Sequence, residues 1–387
     1  MERKGLNVVV AGGGVAGTAC AVALARIGAR VTVYEAYEDP AGPVGSFLSL
    51  AANGLRGLEV LGVLDQVRTA GFSVPRQRMW SGRGQLLGDV PRGRTGDDPM
   101  ISVTLMRAGL VAVLRDEARR AGAEIVTGRR LGQDDLAARA GAEGAADLVV
   151  GADGIWSAAR RFLDPAAPAP VYAGQYSVSG TSSGLGLEPG SWNMIYGRHG
   201  AFIYLPVPDG SVWWSAQVSS PEPAGPDATA LGMLAARYAA EDRAAGILRA
   251  ADSGPGVTDL HVLAPVPRWH DDRTVLVGDA AHPVGSGQGA SMAIEDAIVL
   301  AQELRRAGSV RAALTGYEER RRTRVGKMAR TAAANRDAKV AGPMAARLRD
   351  LMMPLFVGRF YEKATAWLYA YDPGTLAGVA EAERVAE

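Results

Sequence analysis

Three glycines and one acid near the amino terminus have the spacing of a dinucleotide-binding turn. Gly12, Gly14 and Gly17 follow an apolar run over residues 8–10, and Glu35 follows a second apolar run. In that pattern the first glycine permits a tight turn, the second lets backbone approach a pyrophosphate, and the third lets a helix pack closely on a strand. A carboxylate at the position of Glu35 accepts hydrogen bonds from a ribose 2′-hydroxyl. These residues predict a site for a dinucleotide without a 2′-phosphate, which means FAD or NAD.

The elements that position these residues are a strand, a helix and a second strand. Residues 8–10 and 31–33 are typical of buried strands, and the helix between them begins at the glycine turn, where unpaired N–H groups favour a bound phosphate. The uncharged stretch over residues 8–25 is also typical of a signal peptide or a membrane span. Four glycines near its start, and the second strand and acid that follow it in register, favour the dinucleotide interpretation.

Composition limits the classes of function. The chain has 387 residues, enough for two or three domains, and a net charge of +1, which gives no electrostatic case for nucleic acid. Cys20 is the only cysteine, so no intramolecular disulfide forms and a reducing compartment fits. The four histidines lack metal-ligand spacing. We expect a cytoplasmic protein, a monomer or homodimer, with no metal and no nucleic-acid or membrane partner.

The chain changes from an alternating strand-and-helix pattern to a strand-rich pattern and back. Residues 72–90 look like a short strand excursion, and the apolar spacing predicts helices over 105–121 and 230–250. We expect the dinucleotide-binding domain to be built from residues 1–71, 99–170 and 271–334. A mostly β substrate domain is expected to comprise residues 72–98 and 171–270, with a helical segment over 335–387.

Two further motifs accompany the glycine turn. One is Gly-Ala-Asp-Gly-Ile-Trp-Ser-Ala-Ala-Arg at 151–160, and the other is Gly-Asp-Ala-Ala-His-Pro at 278–283, followed by Gly-Gln-Gly at 287–289 and then Glu295 and Asp296. Over residues 5–330 the three motifs resemble the single-component FAD-dependent aromatic hydroxylases, the p-hydroxybenzoate hydroxylase-like flavoprotein monooxygenases. The length and the tail at 367–372 look most like the salicylate hydroxylase-like and tetracycline-hydroxylating enzymes.

The resemblance implies an α/β fold in which a Rossmann-like FAD-binding domain is interleaved with a mostly β substrate domain and followed by C-terminal helices. It also implies FAD-binding roles for Gly12, Gly14, Val15, Ala16, Gly17, Glu35, Ala36, Arg107, Asp153, Asp279, Pro283, Gly287, Gly289 and Ala290. The glycines would hold the pyrophosphate, Asp279 the ribityl chain, and the N–H groups from Gly287 onward the flavin N1–O2 edge. Asp153 would either serve the nucleotides or close a strand-to-turn junction.

By the same resemblance, the chain is expected to be an FAD-dependent monooxygenase that hydroxylates or epoxidises an aromatic or polycyclic small molecule with O2. NADPH or NADH would act as a transient reductant at a surface groove, and a flavin C4a-hydroperoxide would deliver the oxygen atom. We assign no catalytic residue. His199, Tyr204 and Tyr176 are candidates for a base that activates a phenol, and each is also explained by packing or surface exposure.

Aromatic residues in the β-rich segment are candidates for the substrate pocket. Alternation along the strands places Trp192 with Met194 on one face of a strand, and Trp213 with Gln217 on one face of another. We expect these four residues and Tyr204 to contact substrate. An ordinary sheet core would give the same pattern.

Two other functions fit the FAD-binding motifs. One is a flavin-dependent reductase on the same fold. The other is a nonredox FAD-containing binding protein or cyclase, in which the flavin is structural. A flavin-dependent halogenase is disfavoured because its Trp-x-Trp-x-Ile-Pro motif is absent from the sequence.

Overall fold

The computed structural model contains three β-sheets and eleven helices in the part of the chain that it describes. That part consists of residues 5–39, 47–141, 146–252, 255–285, 287–339 and 342–376. The strands, in chain order, are β1 (Asn7–Ala11), β2 (Arg30–Tyr34), β3 (Phe47–Leu50), β4 (Phe72–Ser73), β5 (Arg76–Ser81), β6 (Leu86–Pro91), β7 (Val103–Met106), β8 (Glu124–Val126), β9 (Leu148–Gly151), β10 (Val171–Ser182), β11 (Ser191–Gly197), β12 (Gly200–Pro206), β13 (Val212–Ser219), β14 (Gly256–Val262) and β15 (Thr274–Leu276).

The helices pack against these sheets, and three consecutive helices form the carboxyl-terminal part of the described chain. They are α1 (Val15–Arg26), α2 (Ala52–Val60), α3 (Leu64–Ala70), α4 (Arg107–Arg120), α5 (Gln133–Ala140), α6 (Ala158–Leu163), α7 (Leu231–Arg237), α8 (Asp242–Arg249), α9 (Gly289–Arg306), α10 (Val310–Lys339) and α11 (Pro343–Tyr369). Short 3-10 helices cover Pro226–Thr229 and Gly278–Ala280.

A five-stranded sheet in the order β15-β9-β1-β2-β8 forms the first layer. Every pair in it is parallel, so all carboxyl ends lie along one edge. The chain passes from β1 to β2 on one side and reaches β9 on the other, and ligands of such sheets bind outside the carboxyl ends at this reversal. β1 and β9 are rich in valine because a parallel sheet is covered on both faces. The fold is α/β with a Rossmann-like sheet, as expected.

A seven-stranded sheet in the order β14-β10-β13-β12-β11-β5-β6 forms the second layer. Residues 76–91 supply β5 and β6, and β5 pairs in parallel with β11. The expected strand excursion therefore lies at the edge of this sheet. The domain boundaries drawn from the sequence remain an interpretation.

The two faces of the seven-stranded sheet pack against different helices. One face carries Phe202 and the fully buried Trp214 and packs against α7 and α8. The other carries Met194, Ile203 and Leu205 and packs against side chains of α11. Burying a large apolar side chain contributes about 1.5–3 kcal/mol to the free energy of folding. Packing on both faces therefore stabilises the fold and leaves neither face uncovered.

A three-stranded antiparallel sheet has the order β3-β7-β4. Leu50 and Val103 pack in the core of the five-stranded sheet, and Phe47 and Phe72 pack against residues of the seven-stranded sheet. β7 includes Leu105, which the apolar spacing places in a helix; the helix begins at Arg107 instead. Pairing with β3 and β4 decides this, since periodicity along one segment carries no information about its partners. The helix expected over 230–250 is likewise two helices, α7 and α8. Tyr238, buried between them, donates its hydroxyl hydrogen to the Gln217 carbonyl.

Candidate functional site

Four residues singled out from the sequence lie just beyond the carboxyl ends of four neighbouring parallel strands. Gly12 follows β1, Glu35 follows β2, Asp153 follows β9, and Asp279 follows β15. They are far apart in the chain, and the parallel sheet brings them to one edge. This edge is where open α/β sheets bind ligands.

The glycine turn requires glycine because a side chain at Gly12 or Gly17 would collide with neighbouring backbone atoms. Gly12 has φ +104°, and a Cβ on it would lie 2.4 Å from the Ala152 carbonyl oxygen. A Cβ on Gly17 would lie 1.8 Å from the Gly12 carbonyl oxygen, so α1 packs against the turn at a distance that only glycine permits. A β-carbon at Gly14 would meet only Arg107 Nη2, at 3.5 Å. Gly14 therefore keeps the space in front of the turn open.

The amino terminus of α1 faces this space without a side-chain cap. Gly14 is the residue before the helix, no side chain accepts from the first-turn N–H groups, and the first turn contains no acid. The N–H groups of Val15 and Ala16 therefore keep their capacity to bind an anion, and the helix dipole adds positive potential. Val15 is buried and Ala16 is half-buried, so the backbone of the first turn is the part of α1 that meets a ligand.

Glu35 is tied to the glycine turn through its carboxylate. Its Oε2 accepts a hydrogen bond from the Gly13 N–H at 2.6 Å, and its Oε1 accepts one from the Tyr37 N–H at 2.9 Å. The side chain is buried, with 7% of its surface exposed. Each oxygen retains a second lone pair, which leaves acceptors for ligand hydroxyl groups.

A cleft of about 860 Å³ joins these groups. Its lining is mixed backbone, charged and aromatic, and comprises Ala11, Gly12, Gly14, Tyr34, Glu35, Ala36, Tyr37, Asp39, Arg107, Arg130, Leu131, Gly132, Gln133, Ala152, Asp153, Gly154, Ile155, Trp156, Ala158 and Arg161. A dinucleotide site requires a glycine turn, an uncapped helix amino terminus and a carboxylate that accepts hydrogen bonds from a ribose, and an arginine lies nearby. The residues present therefore fit FAD.

The two carboxylate oxygens of Asp153 differ: Oδ2 has hydrogen-bond partners in the protein, and Oδ1 has none among the described residues. Its Oδ2 accepts hydrogen bonds from the Ala158 and Ala159 N–H groups at 2.7 and 3.0 Å, which closes the junction between β9 and α6. Its Oδ1 is buried without a partner among the described residues. A buried carboxylate oxygen without a donor is costly, so this atom is available to a ligand in the cleft.

Asp279 lies beyond Arg107, outside the residues that line the cleft. Although part of the residue is exposed, nearby protein atoms desolvate its carboxylate and raise its pKa, against the opposing effects of His282 and Arg107. A carboxylate held at such a cost of desolvation is typical of functional sites.

The glycine turn before α9 lies next to Asp279, since a Cβ on Gly289 would be 3.7 Å from Asp279 Oδ1. Gly287 has φ +109°, and α9 begins at Gly289 without a side-chain cap or a first-turn acid. The Gly289 and Ala290 N–H groups are thus a second set of uncapped donors. Pro283 is half-buried on the same loop, and residue 286 lies outside the described residues.

A buried ionic network lies beneath this turn. Arg321 donates through Nε to Asp296 Oδ1 at 2.7 Å and through Nη1 to Glu295 Oε2 at 2.6 Å, and all three side chains are fully buried. His282 Nε2 lies 2.6 Å from Asp296 Oδ2, and Asn53 Nδ2 donates to Glu295 Oε1. The network fixes the loop to α9 and α10.

Burial raises the pKa of Asp296, but His282 and Arg321 outweigh it and hold the pKa at about 2. The sequence motif contains Glu295 and Asp296, but it gives no sign of their partner Arg321, which lies in a run of basic residues. Arg321 is buried, although its neighbours Arg320 and Arg322 are partly exposed.

The strand register decides which aromatic residues share a face of the seven-stranded sheet. Gln77 pairs with Trp192, and Leu205 pairs with Trp213, so Trp192, Met194, Trp213 and Gln217 lie on the face toward α11. Tyr204 pairs with Trp214 on the opposite face, where its hydroxyl accepts a hydrogen bond from Arg243. Tyr204 therefore does not share a sheet face with the other four candidate substrate residues.

Two further aromatic residues complete the cluster around Trp192 and Trp213. The Phe47 ring lies 5.9 Å from Trp192 and 6.0 Å from Trp213, and Phe72 lies 5.3 Å from Trp213 edge to face. We call Phe47, Phe72, Trp192 and Trp213 the aromatic cluster. Sequence reasoning missed both phenylalanines, because they begin strands too short to show alternation.

Two other properties concern the described residues as a set. None of their helices combines the length and apolarity needed to cross a bilayer. No group of three or more metal-ligating side chains occurs among them.

The sequence and the fold were compared with known proteins. The model of a family described as FAD binding domain matches residues 5–332. The chain is 33% identical over 333 residues to the aurachin C monooxygenase/isomerase of Stigmatella aurantiaca, covering 82% of this chain and 85% of that one. It is 27% identical to 3-hydroxybenzoate 6-hydroxylase 1 of Aquipseudomonas alcaligenes, over 95% and 98% of the two chains. The structure of Klebsiella pneumoniae HpxO with FAD and uric acid has the same fold, with a TM-score of 0.81 at 24% identity over 97% and 99% of the chains.

Proposed function

Because the chain belongs to the FAD binding domain family and is an FAD-dependent monooxygenase, we propose that it uses NADH or NADPH and O2 to hydroxylate or epoxidise an aromatic or polycyclic small molecule. The observation that carries the proposal is a juxtaposition. The strand-end cleft fits FAD, and a chain of contacts through Arg92, Gly93 and Asn53 links the aromatic cluster to the α9 turn.

A series of backbone and side-chain contacts connects the aromatic cluster to the α9 turn. Arg92, next to Gly93, stacks on Trp192. The Gly93 carbonyl accepts a hydrogen bond from the Ala52 N–H at 2.8 Å, at the start of α2. Asn53, one residue further, donates to Gln288, the residue before α9. These contacts support a substrate site between the aromatic cluster and the α9 turn.

The residues that would hold FAD follow from the donor sets described above. Gly12, Gly14 and the first turn of α1 would hold the pyrophosphate, with Arg107 beside them and Glu35 on the adenosine ribose. Asp279 would bind the ribityl chain. When bound, FAD supplies the redox chemistry that activates O2. The α9 N–H groups would stabilise negative charge beside them, because uncapped donors at a helix amino terminus are already oriented.

The aromatic cluster would position the substrate and exclude water. Flat rings pack edge to face or offset with centroids about 4.5–7 Å apart, which is the spacing already present among the four rings. An additional planar substrate would extend this packing. The named relatives that act on 3-hydroxybenzoate and, in Klebsiella pneumoniae, on urate have planar ring substrates, which supports this class.

The structure offers none of the three candidate bases to this site. Tyr204 and Tyr176 belong to the core on the opposite face of the sheet, and His199 is exposed at the turn between β11 and β12. We therefore propose no proton-transfer residue. The chain's contribution to the reaction is orientation, exclusion of water and stabilisation of charge.

The proposal is tested with the purified protein loaded with FAD. NADH and NADPH oxidation, O2 uptake and product mass would be measured with phenols and polycyclic aromatic compounds. The expected result is a product heavier by one oxygen atom and O2 uptake equal to substrate consumed. Flavin reduction by either nicotinamide should accelerate when a turned-over substrate is present. A reduced product without O2 uptake would assign a reductase, and turnover independent of flavin reduction would assign a nonredox role.

A further inference from the structure

Arg92 is a desolvated arginine beside the aromatic cluster. It follows β6 directly, and its guanidinium carbon lies 3.4 Å from the centroid of the Trp192 ring. Its Nη1 donates to Gln77 Oε1 at 2.6 Å, on the same sheet face as Trp192. The guanidinium plane is thus held by one amide and one indole ring.

The other edge of this guanidinium has no protein partner among the described residues. Arg92 Nε is buried without an acceptor. Nη2 is not among the buried unpaired atoms and makes no hydrogen bond to any of the described residues. These two N–H groups form the edge that binds a carboxylate with two parallel hydrogen bonds. No carboxylate in the described part of the chain forms an ion pair with Arg92, and Asp98, six residues along the chain, pairs with Arg56.

Arg92 is half-buried, and its charge has no opposite charge to pair with among the described residues. Burial lowers the pKa of Arg92 to about 10, so the side chain is still a cation at neutral pH. Desolvating a charge without an opposite charge carries a cost, and stacking on one indole ring offsets only part of it. The remaining cost is recovered when an anion occupies the free edge.

The neighbouring groups are neutral hydrogen-bond donors. The Tyr361 and Tyr369 hydroxyl oxygens, on α11, lie 3.5 Å apart, and both rings are close enough to Arg92 to interact electrostatically. Burial and the neighbouring Tyr369 raise the pKa of Tyr361 well above its ordinary value, so it remains a phenol. A guanidinium edge with adjacent phenol groups suits an anion and disfavours a cation.

We propose that Arg92 forms a carboxylate-binding subsite that anchors an aromatic acid against Trp192, with Tyr361 and Tyr369 on its α11 side. This inference rests on the proposed function and adds the substrate class: a planar ring bearing a carboxylate, the ring directed toward the aromatic cluster and the carboxylate toward Arg92. Arg92 is then a specificity-determining residue and takes no part in the chemical step.

The test compares matched acids and amides on the FAD-loaded enzyme. Benzoate and 2-naphthoate would be titrated beside benzamide and 2-naphthamide, by calorimetry and by the change in flavin absorbance. A bidentate charged pair predicts that an acid binds about 10-fold or more tightly than its amide. Arg92→Met should abolish that preference while leaving amide binding within about twofold. Arg92→Lys should keep part of it, because lysine retains the charge without the planar edge.

The matched control is Arg78→Met. Arg78 lies in the same hairpin on the opposite sheet face, and Asp89, its partner, keeps a second arginine, Arg76. This variant should keep the full preference for the acids. Equal binding of acid and amide to the wild type, no acid binding, or an unchanged preference in Arg92→Met and Arg92→Lys would overturn the inference. Flavin binding and O2-dependent turnover of neutral aromatics by the wild type report on the proposed function separately.

Discussion

Gly13 and Glu35 are joined across the dinucleotide turn: the Gly13 N–H donates to Glu35 Oε2 at 2.6 Å. The acid expected to bind a ribose therefore also orients the turn expected to bind a pyrophosphate. A Cβ on Gly13 would lie 3.0 Å from the Glu35 Cβ, so the two residues also pack against each other. Preorganisation of the turn and recognition of the ribose depend on one carboxylate.

Glu35→Gln should weaken both the preorganisation of the glycine turn and the recognition of the ribose. A glutamine has one oxygen, and Glu35 accepts from two backbone N–H groups, those of Gly13 and Tyr37. One donor is left unpaired, which costs about 1–3 kcal/mol. We expect this loss in denaturant unfolding of the apoprotein, with at least about tenfold weaker FAD binding by titration. Unchanged values of both quantities would contradict the role assigned to this carboxylate.

Gly17→Ala should destabilise the protein, because its Cβ would collide with the Gly12 carbonyl oxygen. Overpacking of this kind costs about 1–3 kcal/mol and would also move α1 away from the pyrophosphate position. The matched control is Gly246→Ala, in α8, where a Cβ meets nothing within 4 Å. That change should stabilise the chain by about 0.5–1 kcal/mol. Thermal unfolding of the two variants measures the contrast, and equal midpoints would refute it.

Asp153→Ala and Asp153→Asn should separate the two tasks of that residue. Alanine removes the acceptor for the Ala158 and Ala159 N–H groups and should cost about 0.5–2 kcal/mol of stability. Asparagine keeps one oxygen for this cap and replaces the unpartnered Oδ1 with an amide nitrogen. We expect near-normal stability but altered FAD affinity for the Asp153→Asn variant, read by denaturation and flavin titration. Normal affinity in this variant would leave Asp153 a purely structural role.

Asp279→Asn should keep or raise apoprotein stability while weakening FAD binding. Desolvation raises the folded-state pKa of Asp279 above the unfolded value, so the group begins to oppose folding as the pH rises past the unfolded pKa, and the penalty is complete above the folded pKa. Asparagine removes that charge and the acceptor expected to hold the ribityl chain. Unfolding at pH 7 and flavin titration are the measurements. Loss of the soluble apoprotein would assign Asp279 a structural role instead.

Because of Asp296, we expect the free energy of unfolding to fall as the solution becomes acidic. Its folded pKa of about 2 lies below its ordinary 3.8, so its stabilisation is complete above about pH 4 and is lost as the pH falls toward 2. The shift corresponds to about 2 kcal/mol. Unfolding free energies across this range should show the decline, and Asp296→Asn should flatten it while costing about 3–5 kcal/mol at pH 7. Asp65→Asn, at an exposed ion pair, is the control and should leave the wild-type curve unchanged.

The sequence by itself determined the dinucleotide turn and the α/β fold. The turn is readable because its requirements are local: a positive φ at Gly12 and the close approach at Gly17 exclude every side chain, whatever the rest of the chain does. Glu35 was identified because it follows a buried strand of the glycine-turn motif, and Asp153 and Asp279 were identified through the family resemblance. Parallel strands must align their carboxyl ends, so the position of these residues along the sheet edge followed from the strand pattern.

Only the tertiary structure shows which residues share the sheet face where we propose the substrate site. Alternation divides a strand into two faces without saying what covers either face, so it could not separate Tyr204 from Trp192 and Trp213. Register and the packing of α11 settle that question. Phe47 and Arg92 are invisible to any local pattern, because their role lies in contacts with residues that are distant in the sequence. Arg321, within a run of similar arginines, is buried because two carboxylates on α9 pair with it.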